Sequence, residues 1–310
     1  MRLKMDPFFH TYSIVAHDEK SGQFGVAVQS HWFNVGSLCP WVEAGVGAIA
    51  TQSFVKVSYG PQGLALLREG KTPQEALANM LAQDEGREGR QVAIVDAHGN
   101  VAVHTGSRCV AQAGHFAGNG FSVQANMMKN NTVWAAMADT FMQTTGDLAE
   151  RLLAALKAAQ AQGGDIRGKQ SAAMLVADGT RSDVPYEHML LDLRVDDHPD
   201  PLVELERLLH IQRAYEFMNM GDELLSKGDK AGAMQQYAKG ASLAPHIDEL
   251  PFWQAATLAE NGNLEEALPI FRSVFAHNPD WAELLKRLPK SGLFPDDPQL
   301  IATILKEQKG

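Results

Sequence analysis

The sequence predicts an α+β chain: a four-layer αββα sandwich followed by a small all-α domain of paired helices. Three observations carry that expectation. Hairpins of short apolar strands alternate with pairs of amphipathic helices over the longer N-terminal part. Near the C-terminus a set of residues recurs every 34 positions. At 310 residues the chain is long for one ordinary domain and sufficient for two, each with its own core.

The opening residues 1–10 read as a leader. They contain basic residues but no apolar core of signal-peptide length and no small-residue cleavage site, and no stretch is long and apolar enough to span a bilayer. A cytoplasmic protein is expected. From Thr11 the pattern becomes strand, turn at Lys20–Ser21–Gly22, strand; RQVAIVDAHGNVAVHTG repeats the design with a turn at His98–Gly99–Asn100. Both strands of each hairpin are nearly continuously apolar, as in sheets covered on both faces. Helices are predicted over Gln62–Leu67, Thr72–Gln83, Val133–Thr144 and Asp147–Gln162. The second opens on Thr72, Pro73 and Glu75, a cap followed by Pro in the first turn and an early acid. SAAMLVAD and HMLLDLRV supply the last strands. Hairpins and helix pairs in this order imply two antiparallel sheets stacked between two helical layers, over residues 11–195.

The Asp- and Pro-rich LRVDDHPDPL marks a linker, assigned to 196–209, and residues 210–310 form the helical domain. There Gly228, Ala233, Tyr237 and Pro245 recur as Gly262, Ala267, Phe271 and Pro279. A turn glycine, a small residue at the helix crossing, an aromatic between units and a closing proline resemble the tetratricopeptide repeat. The second unit is degraded in its first helix, where Pro251 and Gln254 stand at apolar positions. Because such units bury their faces on neighbours, the strip from Trp281 to Ile304 is expected to cap the array or dock on the first domain.

Composition limits the functions. With 45% apolar and 21% charged residues the chain is that of a folded globular protein. A net charge of −10 disfavours nucleic acid and anionic membranes, which are bound by clustered Lys and Arg. Cys39 and Cys109 sit in apolar segments and read as buried free thiols. His98, His104 and His115 lack the close first pair of a zinc site, so no metal is expected. GHFAGNG and GVGAIA do not open capped helices, which argues against a phosphate loop, and no cofactor is expected. Asp18 and Asp96 precede turns, where local hydrogen bonding explains them.

Residues Thr11 to Arg194 resemble the domain-of-unknown-function 1028 family, of N-terminal-nucleophile hydrolase type. The resemblance rests on TYSIVAHD, GVAVQSHWFNVGS, CPWVEAGVGAIATQS, YGPQGLALLREGKTPQEAL, VDAHGNVAVHTG, VQANMM and GGDIRGKQSAAMLV. It implies an amidohydrolase that acts on a small amide or γ-glutamyl-like C–N bond. Thr11 would be the nucleophile and its own α-amine, with a reference pKa of about 8, the general base. It further implies that His31, Gln52 and Asn126 serve the chemistry and that Gln29, Ser30, Thr51, Ser53 and Gln124 bind the substrate.

Ten residues precede Thr11, and Met-aminopeptidase does not expose it, because Arg2 is not small and a start at Met5 leaves Asp6 to His10 in the way. The reading therefore requires self-cleavage between His10 and Thr11. Without it, Thr11 is an ordinary strand residue, His31 a core or edge histidine, and Ser13 or Ser30 an alternative nucleophile. The alternative function is a non-catalytic binding or scaffold protein whose repeats recruit a protein partner. A homodimer through the first domain is expected on either reading.

Overall fold

The computed structural model describes residues 8, 9 and 11–309. The rest of the expected leader, including Arg2, Met5 and His10, lies outside them. The chain divides into two compact units, residues 1–206 and 207–310.

The first unit contains two antiparallel sheets. One has the order β1 (Phe8–Phe9), β5 (Gly47–Phe54), β6 (Arg90–Asp96), β7 (Val101–Thr105), with β4 (Pro40–Glu43) also paired to β5. The other runs β11 (Met189–Val195), β10 (Ser171–Ala177), β3 (Phe24–Ser30), β2 (Thr11–His17), β9 (Phe121–Ala125), β8 (Gly114–Gly118). The sheets face each other through Val15, Val26, Val28, Cys39, Ala48, Ala50, Ala93 and Val95, all fully buried. Helices α1 (Tyr59–Arg68) and α2 (Pro73–Ala82) cover the first sheet, where Ile49, Val92 and Ile94 pack with Tyr59, Leu64 and Met80. Helices α3 (Val133–Gln143) and α4 (Leu148–Ala161) pack on the second, with the Phe121 and Phe141 rings 4.7 Å apart.

Local chemistry fixes several of these elements. The Thr72 hydroxyl accepts from Glu75 N while Glu75 accepts from Thr72 N, and Pro73 follows the cap. Such reciprocal capping contributes about 1 kcal/mol. Asp147 and Glu150 repeat the arrangement at α4. Gly60 is required by packing rather than conformation, since a Cβ there would lie 2.2 Å from the Trp41 ring.

A buried ion pair holds the end of β5. Arg90 Nε donates to Asp84 Oδ2 at 2.8 Å, Tyr59 Oη donates to the same oxygen at 2.8 Å, and Arg90 Nη1 donates to the Phe54 carbonyl at 2.5 Å. Burial pushes the Asp84 carboxyl up, but hydrogen bonds from Arg90, Tyr59 and Gly86 N outweigh it and hold the group well below the usual carboxylate range. Because the folded-state value is depressed, its stabilisation is complete above the unfolded value of about 3.9 and is lost as pH falls toward the folded value. Asp84→Asn is expected to cost about 3 kcal/mol at neutral pH by removing the charge that compensates the buried Arg90 guanidinium. Urea titrations at pH 7 and pH 3 check this: the gap between wild type and variant should narrow at the lower pH.

The second unit is all helical: α5 (Pro201–Ser226, begun in the first unit), α6 (Lys230–Leu243), α7 (Glu249–Glu260), α8 (Leu264–His277), α9 (Asp280–Ser291) and α10 (Pro298–Leu305). Because α5 begins at Pro201, residues 201–209 of the expected linker are helical, and the irregular connection is confined to 196–200. Pro at the first helical position costs no hydrogen bond, so the Pro that suggested a linker starts a helix. The 34-residue pairs occupy matching places. Gly228 and Gly262 turn with φ of 84° and 80°, Ala233 and Ala267 are fully buried, and Tyr237 and Phe271 fill the core. A Cβ on Gly221 would meet the Tyr237 ring at 2.3 Å, so that aromatic packs directly on the α5 backbone. Pro251 does not break α7, because it lies in the first turn, where no intrahelical donor is needed; Phe252, Ala255, Ala256 and Ala259 supply the apolar face. Ala282, Leu285, Leu288, Phe294 and Ile304 complete the same core.

Among the described residues, no helix is long and apolar enough to cross a membrane.

Candidate functional site

Between the sheets the filling changes from apolar to polar toward the Thr11 end of β2. Antiparallel pairing sets Thr11 opposite Ser30, and Ser13 opposite both Val28 and Gln124. The two-residue period then sends Thr11, Ser13, Ser122, Gln124 and Asn126 to the inner face. From the facing sheet Gln52 and Gln91 meet them, and all of these side chains are fully buried.

Buried polar groups at this density need a closed hydrogen-bond account, and the network supplies one. Thr11 Oγ1 lies 3.2 Å from Ser30 Oγ. Ser13 Oγ donates to Gln52 Oε1 at 2.7 Å and accepts from Gln124 Nε2 at 2.6 Å, so this hydroxyl is engaged on both sides. Gln52 Nε2 donates to the Thr11 carbonyl at 3.2 Å and to Gln91 Oε1 at 2.7 Å. Asn126 Nδ2 donates to Gln91 Oε1 at 2.9 Å, and Asn126 N to the Thr11 carbonyl at 3.1 Å. Gln91 Nε2 faces the Ala125 and Gly114 carbonyls at 2.9 and 3.2 Å and Thr105 Oγ1 at 2.9 Å. Backbone carbonyls only accept, so Gln91 must turn its Nε2 to them and its Oε1 to Gln52 and Asn126. That fixes the amide orientations of the whole set. His115 Nδ1 lies 2.9 Å from Thr105 Oγ1 at the exposed end of the chain of contacts. Burial, with His104 adding to it, lowers the pKa of His115, which favours its neutral form.

Of the residues singled out in the sequence, the structure brings together Thr11, Ser30, Gln52, Gln124 and Asn126. Gln29 belongs elsewhere: opposite Tyr12 in the pairing, its amide meets the Tyr12 hydroxyl on the helical side of the sheet, where Gln160 Oε1 lies 3.0 Å from the same hydroxyl. Thr51 also turns outward, its hydroxyl 3.4 Å from the Lys56 carbonyl. Ser53 sits one residue past Gln52 with φ of 71°, a left-handed conformation that strains a non-glycine residue. His31 lies with Asp165 and Lys169: its backbone N donates to Asp165 Oδ2 at 3.3 Å and its Nδ1 is 3.4 Å from the Lys169 carbonyl. Alternation explains the departures of Gln29 and Thr51, since adjacent strand residues face opposite ways, whereas His31 lies just past the end of β3.

Gln91, Ser122 and Thr105 are not among the residues singled out in the sequence, and His115 figures there only as a rejected metal ligand. The signal for Gln91 was a lone amide in the apolar run RQVAIVD. Cys39, whose Sγ is 3.8 Å from Gln52 Oε1, is no thiolate source because burial pushes its thiol far up. Among the described residues no group of three or more His, Cys, Asp or Glu could hold a metal ion. Chemically, the arrangement offers a hydroxyl at the start of a central strand, a carbonyl held by Gln52 Nε2, Asn126 N and, at 3.5 Å, Asn126 Nδ2, and a set of fixed amides.

The family model described as "Family of unknown function (DUF1028)" matches residues 11–205. The crystal structure of a Silicibacter pomeroyi protein described as DUF1028 is similar, with 34% identity, a TM-score of 0.58, and coverage of 64% of this chain and 88% of that one. No curated protein matches.

Proposed function

The chain belongs to the DUF1028 family, and from that premise we propose that its first unit is an amidohydrolase of the N-terminal-nucleophile type with Thr11 as nucleophile. One observation carries the reading: Thr11, where the family match begins, opens a central strand with its hydroxyl among buried Ser, Gln and Asn side chains. Such polar groups are costly to bury and are expected where a reacting carbonyl must be oriented and its developing charge stabilised. Two antiparallel sheets between helical pairs accord with a sandwich of that hydrolase type.

The chemistry has two stages. Thr11 Oγ1 attacks the His10 carbonyl carbon, the peptide C–N bond breaks, and water hydrolyses the ester to leave a His10 carboxylate and a free Thr11 amine. That amine then takes the Thr11 hydroxyl proton as Oγ1 attacks a substrate amide. The amine product leaves with a proton, and water releases the acyl group as a carboxylate. Gln52 and Asn126 hold the Thr11 backbone carbonyl, which positions the nucleophile during both stages. Ser30 Oγ, 3.2 Å from Thr11 Oγ1, is placed to relay its proton.

Intact-mass measurement with N-terminal sequencing of purified protein tests this. A chain beginning at Thr11 is the expected result; a chain that keeps residues 1–10 sinks the mechanism. The complete burial of Thr11 favours a second reading, a non-catalytic binding protein in which the amide network is purely structural. On that reading Thr11→Ala would preserve the biological role.

The second unit we read as tetratricopeptide-type. Its support is the matched Gly, Ala and aromatic positions of two helical hairpins and the use of 281–304 as a cap. It lies outside the family match, so it is an addition to the proposed hydrolase unit.

A further inference from the structure

The backbone in front of Thr11 changes sheets. Thr11 itself pairs with β3, in the sheet of β2, whereas Phe8 and Phe9 pair antiparallel with β5 of the facing sheet, opposite Phe54 and Ser53. β5 has β6 along one side as far as Ser53, and β4 along the other only from Gly47 to Ala50. β1 thus pairs the stretch of edge that β4 leaves, and Thr11 follows two residues after Phe9 in the sequence.

This stretch of edge is built rather than incidental. Its carbonyl at Phe54 is held by Arg90, which the buried Asp84 and Tyr59 fix in turn. Ser53 keeps a strained φ of 71° at the pairing position, and the adjacent Gln52 reaches across to the Thr11 carbonyl. A strand edge offers main-chain hydrogen bonds to an extended peptide, and strained residues cluster at functional sites.

We infer that the Ser53–Phe54 edge is the acyl-side subsite of this site and that its substrate class is an extended peptidyl chain, not a small amide. The inference rests on the Thr11 nucleophile reading. In the uncut chain residues 8–10 are the first such substrate. Cleavage at His10–Thr11 vacates the edge, and a second peptide running antiparallel to β5 presents its carbonyl to Oγ1 along the same path. Thr11 then forms an ester with the acyl portion as the C–N bond breaks. The amine half departs with a proton, and water returns the hydroxyl and frees a peptide carboxylate.

The test uses the purified, self-processed protein and four coumarin amides: the hexapeptide Met-Asp-Pro-Phe-Phe-His, the same peptide N-methylated at both Phe residues, N-acetyl-His, and γ-glutamate. The expected kcat/KM for the hexapeptide exceeds that for each of the other three by about tenfold or more, because a net backbone hydrogen bond contributes about that factor. N-methylation keeps the side chains and removes the pairing donors, which separates strand addition from side-chain recognition. A processed protein that is inert to the hexapeptide, or treats any of the other three equally well, overturns the subsite and leaves the hydrolase. A protein without a free Thr11 amine overturns both.

Discussion

Thr11→Ala is expected to remain at full length and to lose turnover by about 10⁴-fold or more, as when the nucleophile of a covalent mechanism is removed. On the proposed mechanism the two effects have one cause, since the same Oγ1 would open the His10–Thr11 bond and attack the substrate. Thr11→Ser keeps the hydroxyl and is expected to process and turn over slowly, having lost the β-branched methyl that stiffens its rotamer. Mass spectrometry of the two variants beside wild type reads the first effect, and burst kinetics on a coumarin amide reads the second. A Thr11→Ala protein with activity within tenfold of wild type would return Thr11 to the role of a strand residue. The neighbouring hydroxyl, Ser13, is a poor substitute nucleophile because it is engaged by both Gln52 and Gln124.

Gln91→Ala is expected to destabilise the first unit by about 3–5 kcal/mol, lowering its thermal midpoint by on the order of 10 °C. The substitution removes the acceptor used by Gln52 and Asn126 and the donor facing Ala125 and Gly114. Each stranded buried group costs about 1–3 kcal/mol, and the missing side chain leaves a cavity between the sheets. Calorimetry of the variant checks the figure. A shift of only a degree or two would mean that Gln91 is no hub. Because Gln52 and Asn126 also hold the Thr11 carbonyl, the same variant should process its leader more slowly even where it stays folded.

Much of this was legible in the residues. Thr72-Pro73 with Glu75 marked the start of α2, Lys20–Ser21–Gly22 marked the first hairpin, and the recurrence of Ala233 and Tyr237 at Ala267 and Phe271 marked the helical pairs. The local rules behind these are short-range, so one stretch of sequence suffices. The amide network was less legible. Gln29 and Ser30, or Thr51 and Gln52, look alike as neighbouring polar residues at strand ends, yet one of each pair faces the site and the other the helices. Period two says that they part; it does not say which of them faces the other sheet.

By itself the sequence determined the element order, the caps and turns, the 34-residue recurrence and Thr11 at the head of a strand, all properties of contiguous or regularly spaced residues. Only the tertiary structure decided that Gln91 bridges Gln52 and Asn126, which hold the Thr11 carbonyl, that His31 goes to Asp165 instead, and that β1 pairs with β5. Those outcomes depend on strand register and on which faces oppose each other. Both are set by packing between segments far apart in the chain, where no local pattern reaches.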